Sequence, residues 1–120
     1  MFELSIKGDF AAAHCLRGYE GSCKNLHGHT WKVEVAIESR QIDEIGMVVD
    51  FKVIKGKLKE LLNRIDHVYL NDLPTFQDVN PTTENLARYI YKAFAPMCQP
   101  FQIKRVQVWE SDSASVTYYE

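Results

Sequence analysis

The stretch H27-G-H-T-W-K-V-E-V-A-I-E38 decides the fold. Trp31, Val33, Val35 and Ile37 fall on one side of an alternation, and Lys32, Glu34 and Glu38 fall on the other. A period of two is the signature of a strand with one buried and one wetter face. The same parity, carried back to the start of the strand, takes in His27 and His29. Side chains two apart on a strand share a face, so both imidazoles stand at the end of the core-facing row.

Working back towards the N-terminus, Phe2, Leu4 and Ile6 alternate with Glu3, Ser5 and Lys7. This predicts a first strand running on to His14, with Gly8 marking a bulge or bend. His14 shares the parity of Phe10 and Ala12 if the register holds across Gly8. The segment from Arg17 to about Leu26, rich in Gly, Ser, Lys and Asn, is expected to be the connecting loop.

Forward of the key strand the spacing becomes helical. Phe51, Ile54, Leu58, Leu61, Leu62 and Ile65 recur every three or four residues behind Asp50, a suitable N-cap. Gly56 weakens that helix by about 1 kcal/mol relative to alanine. Pro81-Thr82-Thr83-Glu84 opens a second helix, either threonine being able to cap it, with Leu86, Ile90, Ala93, Phe94 and Met97 as its buried stripe. Pro96 and Pro100 end it, and two strands follow, Ile103 to Glu110 and about Ala114 to Tyr119. The order ββααββ predicts an α+β domain spanning 1–120, a four-stranded antiparallel sheet with two helices on one face. The opposite, polar face either meets water or lines a barrel closed by several subunits.

The chain has 120 residues, a formal net charge of -2, and 46% hydrophobic and 25% charged residues. These values fit a soluble globular domain and carry no footprint of a nucleic-acid partner or a polybasic membrane patch. The run Lys52, Lys55, Lys57 and Lys59 reads as a solvated helix face. No stretch has the length of apolar sequence that spans a bilayer, and no secretion signal is visible. Cys15, Cys23 and Cys98 are an odd number. They are expected to be free thiols in a reducing cytoplasm.

Of the four histidines, His14, His27 and His29 can converge from neighbouring strands. Three neutral imidazoles suit Zn²⁺ and leave a fourth position open, the pattern of a catalytic site. Cys23 either closes such a site as a structural ligand, serves beside it as base or nucleophile, or is an inert thiol. Asp66 can orient His67, although a histidine at a helix C-terminus is also favoured electrostatically without any function. Glu110 ends the row of Val106 and Val108, where a carboxylate can accept two hydrogen bonds from a planar amidine-like group or simply be solvated.

In this order, F10-A-A-A-H14, C23-K-N-L-H-G-H29, G46-M-V-V-D-F51, D66-H-V-Y-L-N71, P81-T-T-E-N85 and V108-W-E110 resemble the 6-pyruvoyl-tetrahydropterin synthase family. The likeness is closest to its bacterial branch, the 6-carboxy-tetrahydropterin synthases of queuosine biosynthesis. The resemblance implies the tunnelling fold (T-fold), with subunits closing a barrel as a homo-hexamer of two stacked trimers and active sites between subunits. It implies zinc held by His14, His27 and His29, a catalytic Cys23 assisted by Asp66 and His67, and a pterin ring anchored by Glu110 with Thr82 and Thr83 alongside. The substrate implied is dihydroneopterin triphosphate. The three residues between Cys23 and His27 resemble the queuosine branch, which releases acetaldehyde and leaves a carboxyl at C6. The alternatives are a pyruvoyl-type synthase and a non-catalytic zinc-binding scaffold. Arg17, Lys24 and Lys52 are the candidates for holding the triphosphate.

Overall fold

The computed structural model of the protein describes residues 1–21 and 24–120. Strands β1 (Phe2–His14) and β2 (His27–Ser39) form a long antiparallel hairpin, in unbroken register from Phe2 opposite Ser39 to His14 opposite His27. After α1 (Phe51–Asn63) comes a two-residue strand β3 (Val68–Tyr69), then short 3-10 turns, α2 (Thr83–Phe94), β4 (Gln102–Ser111) and β5 (Ala114–Tyr118). The sheet order is β3-β1-β2-β4-β5.

The sheet therefore has five strands and is mixed, where the alternation predicted four and all antiparallel: β3 pairs parallel with β1, Val68 opposite Ala12 and Tyr69 opposite Ala13. Two residues carry no periodicity to read, and a tertiary strap creates this strand. Asp66 Oδ1 accepts from Ala11 N–H at 2.8 Å, and His67 N–H donates to Ala11 O, laying the chain along the β1 edge as it leaves α1. His67 takes φ +57°, a left-handed conformation that turns the chain there.

The alternation in β2 is realised: Trp31, Val33, Val35 and Ile37 are each at most 1% exposed. Val106 and Val108 of β4 join them, and α1 covers the layer with Ile54, Leu58, Leu61 and Leu62. Leu86, Ala87, Ile90 and Phe94 of α2 pack beside them. Both predicted caps form, Asp50 accepting from Lys52 N and Thr82 from Asn85 N. Along β1, Phe2 is 46% exposed and full burial begins at Ile6. Phe51, expected in the stripe, is 53% exposed because the stripe starts one turn into α1, at Ile54.

Gly8 marks no bulge. It lies opposite Val33 in regular register, and its role is close approach: a Cβ there would stand 2.8 Å from Leu62 Cδ1. Register shifts occur instead in β4, around Ala36/Ile37 of its partner and between Trp109 and Ser111. The outer face of the sheet is laced by ion pairs, among them Arg105–Glu34 at 2.8 Å and Lys32–Asp112 at 3.0 Å. Among the described residues, no helix is long and apolar enough to cross a membrane.

Candidate metal centre

The unbroken β1–β2 register has a direct consequence at its closed end. His14 faces His27 across the ladder, and His29 lies two residues further along β2 on the same face. Glu110, near the end of β4, completes the group: one ligand atom from each of His14, His27, His29 and Glu110 lies within 4.8 Å of all the others. Trp31 is the floor. Its ring centroid is 5.0 Å from that of His14 and 5.1 Å from that of His29, both edge-to-face, and it stacks on Phe10 from the core side.

Two backbone carbonyls assign the tautomers. His14 Nδ1–H donates to Pro81 O at 2.8 Å and His27 Nδ1–H donates to Asn25 O at 2.7 Å. A neutral imidazole that donates from Nδ1 carries its lone pair on Nε2. The two Nε2 atoms lie 2.9 Å apart, so two lone pairs converge on one point. Burial holds the His14 basicity below its ordinary value, against the Pro81 carbonyl, and the neighbouring imidazoles lower it further. A shared proton is therefore opposed, and a cation is the species that relieves the repulsion.

His29 Nε2 makes the same point independently. It is buried and, among the described residues, has no hydrogen-bond partner, although Glu110 Oε1 stands 3.1 Å away. Desolvation depresses the His29 basicity and Glu110 opposes it. An orphaned buried nitrogen costs about 1–3 kcal/mol unless something occupies its lone pair. Three imidazole nitrogens beside a carboxylate oxygen suit a borderline-soft divalent ion such as Zn²⁺. The donor set fits the group that the sequence implied.

The wall above the histidines comes from the start of α2. Thr83 Oγ1–H donates to Glu110 Oε2 at 2.9 Å, while Thr82 spends its acceptor on capping the helix. His14, Thr82, Thr83, Glu110 and Val116 line a cavity of about 240 Å³. Glu110 thus stands within the histidine group, closer to the three imidazoles than a separate pocket rim would place it.

Other expected residues lie elsewhere. Asp66 and His67 pair at 2.9 Å, with the His67 side chain 81% exposed. They strap the chain to Ala11 and are not part of the histidine group. Cys23 lies outside the described residues. Arg17 is exposed and its guanidinium donates to Phe76 O at 2.6 Å and Val79 O at 2.8 Å, both through Nη2. Sequence reasoning missed the two carbonyls that set the tautomers, because a carbonyl has no residue-type signature.

Residues 3–120 match the family described as 6-pyruvoyl tetrahydropterin synthase. A 6-carboxy-5,6,7,8-tetrahydropterin synthase of Synechocystis is 36% identical over 115 residues, covering 92% of this chain and 87% of that protein. A 6-pyruvoyl tetrahydrobiopterin synthase of Dictyostelium discoideum is 34% identical over 100 residues, covering 82% and 73%. The solved 6-pyruvoyl tetrahydropterin synthase of Caenorhabditis elegans superposes with a TM-score of 0.89 at 26% identity, over 99% of this chain and 95% of that one. With its β-strands in this order, its helices on one face and its histidines gathered at the closed end of the first hairpin, the chain belongs to the 6-pyruvoyl tetrahydropterin synthase family of pterin synthases.

Proposed function

We propose that the protein is a zinc-dependent lyase that converts 7,8-dihydroneopterin triphosphate and water to 6-carboxy-5,6,7,8-tetrahydropterin, releasing acetaldehyde and triphosphate. The observation that carries the metal reading is the pair of imidazole lone pairs aimed at each other across 2.9 Å, beside an orphaned third nitrogen. His14, His27 and His29 would hold the ion. Bound there, zinc supplies Lewis acidity that makes the C–H beside the substrate's side-chain hydroxyls easier to ionise.

The chain's own residues do the rest in this reading. Glu110, fixed through Oε2 by Thr83, accepts hydrogen bonds from the 2-amino and ring N–H groups of the pterin. Cys23, as thiolate, removes the side-chain proton. His67, held through Nδ1 by Asp66, carries protons during tautomerisation and triphosphate loss. Because Asp66 and His67 stand apart from the histidine group of their own chain, the reading places them against a second copy, in a hexamer of two stacked trimers. Arg17, Lys24 and Lys52, all exposed, are the cations available for the triphosphate.

A second reading has a specific observation behind it. The Dictyostelium relative, named for pyruvoyl chemistry, is 34% identical, against 36% for the carboxy-type relative of Synechocystis. The pyruvoyl reaction stops after triphosphate elimination. The interval of three residues from Cys23 to His27 supports the carboxy reading. Incubating the zinc-loaded protein with dihydroneopterin triphosphate and weighing the pterin product separates them. 6-Carboxy-tetrahydropterin with acetaldehyde is expected; 6-pyruvoyl-tetrahydropterin would move the protein to the other branch. No turnover, with zinc retained, would favour a binding scaffold.

A further inference from the structure

Beyond His14 the chain leaves the ladder and turns at Arg17 and Gly18, and two asparagine side chains pair with its backbone there. Asn71 Oδ1 accepts from Cys15 N–H at 3.0 Å and Asn71 Nδ2–H donates to Cys15 O at 2.9 Å. Two residues on, Asn80 repeats the arrangement: its Oδ1 accepts from Arg17 N–H at 2.9 Å and its Nδ2–H donates to Arg17 O at 2.8 Å. A side-chain amide carries the same donor and acceptor as a peptide, so each asparagine pairs with one residue as a neighbouring strand would.

Both amides come from the 71–80 connection, and that connection leads into Pro81. Pro81 O fixes the tautomer of His14, and Thr83, two residues later, holds Glu110. Arg17 reinforces the link, its guanidinium reaching Phe76 O and Val79 O in the same connection. Asn85 Nδ2–H closes it from the other side by donating to Asn80 O at 2.9 Å. The segment after His14 and the segment before Thr83 are thereby held to one another at fixed spacing, with His14 Nδ1 and Pro81 O between them.

We propose that Asn80, together with Asn71, is a positioning residue of the metal centre: its reciprocal clamp on Arg17 sets where Pro81 O meets His14, and so aims the His14 lone pair. This rests on the reading that the histidines hold a metal. Outer partners that orient a ligating imidazole commonly change metal affinity about 10–100-fold when lost. Asn80 is the better probe, because Asn71 is only 8% exposed and its loss risks the fold.

The test is Co²⁺ binding to the full chain, followed by its visible ligand-field absorption and by chelator competition. The variants are Asn80→Ala, Asn80→Asp and, as control, Gln77→Ala. Gln77 donates to Asn71 O and Leu73 O within the same connection and touches neither clamp amide. Asn80→Ala is expected to weaken Co²⁺ binding about 10-fold and shift the absorption. Asn80→Asp, which keeps the acceptor but loses the donor, is expected to fall between it and the unaltered protein, and Gln77→Ala is expected to match the unaltered protein. A folded Asn80→Ala protein with unaltered affinity and spectrum overturns the proposal. So does equal loss in Gln77→Ala, which would mark a general effect of loop stability. Should Asn80→Ala fail to fold, the Asn80→Asp spectrum decides in the same way. Absence of Co²⁺ binding by the unaltered protein would instead overturn the metal reading itself.

Discussion

Trp31 links the stability of the core to the order of the histidine group, and replacing it with phenylalanine separates the two contributions. The side chain is fully buried, stacks on Phe10 at 6.0 Å and donates from Nε1 to Ala12 O at 3.3 Å. Phenylalanine is smaller by roughly 40 Å³, which at about 24 cal/mol per Å³ of residual cavity costs about 1 kcal/mol. The lost hydrogen bond costs about 1 kcal/mol. Loss of the transfer free energy of the removed ring atoms adds about 1 kcal/mol. The total is about 3 kcal/mol. An unfolding entropy of about 2.1 cal/mol/K per residue gives about 0.25 kcal/mol/K for a chain of 120 residues. The expected fall in Tm is therefore about 12 °C.

Calorimetry with a chelator present, at one protein concentration, keeps metal and association linkage out of the comparison. Trp109→Phe is the control, since Trp109 is half-buried on the opposite face, outside the core cluster. Its expected cost is below about 1 kcal/mol. A Trp31→Phe fall under about 4 °C, or equal falls for the two variants, would refute the assignment of Trp31 as the keystone under the histidines. Because two imidazole rings pack near-perpendicular to the indole, the same variant is expected to bind zinc about 10-fold more weakly.

Two further outcomes follow from single contacts. Gly8→Ala places a Cβ 2.8 Å from Leu62 Cδ1 and 3.5 Å from Leu58 Cδ2, both in the sealed core. Overpacking of about 1–3 kcal/mol should outweigh the entropic gain of about 0.4–1 kcal/mol, lowering the urea midpoint; an unchanged midpoint would count against close approach, and Leu62→Val should restore part of the loss. Asp66 has its carboxyl held below the ordinary range, first by the Ala11 N–H and then by His67. A depressed folded pKa gives stability that is present above the unfolded value of about 3.9 and disappears as pH falls through the folded one. Asp66→Asn should therefore lower Tm at neutral pH, with the gap closing below about pH 4; a gap independent of pH would sink the charge argument.

How far the site was legible depended on what kind of interaction built each part. Alternation from Trp31 to Ile37 fixed a face, and His27 and His29 inherited it because parity does not change within an unbroken strand. His14 followed because Gly8 proved to be a close-packing position that leaves the register intact. The fifth strand was not legible: it arises from one carboxylate meeting one backbone N–H from 55 residues away, and nothing local in Val68–Tyr69 announces it. The clamps of Asn71 and Asn80 were hidden for the same reason. Asparagine in a loop ordinarily signals a turn, and only the tertiary structure shows these two amides standing in for a strand.

The stretch from Pro81 to Thr83 shows why the centre needs the whole fold. Pro81 is restricted to accepting, and its carbonyl accepts a hydrogen bond from His14 Nδ1–H, which leaves the lone pair on Nε2. Two residues on, Thr83 holds Glu110 Oε2, which leaves Oε1 towards His29. Both contacts depend on where α2 begins, and Thr82 sets that by capping Asn85 N. The N-terminal end of α2 also presents the positive end of the helix to the Glu110 carboxylate, a favourable placement worth about 0.3–1 kcal/mol. One helix start, positioned by its docking on β4, thus aims a nitrogen of β1 and a carboxylate of β4 at the same place, and the two strands that bear them never pair with each other.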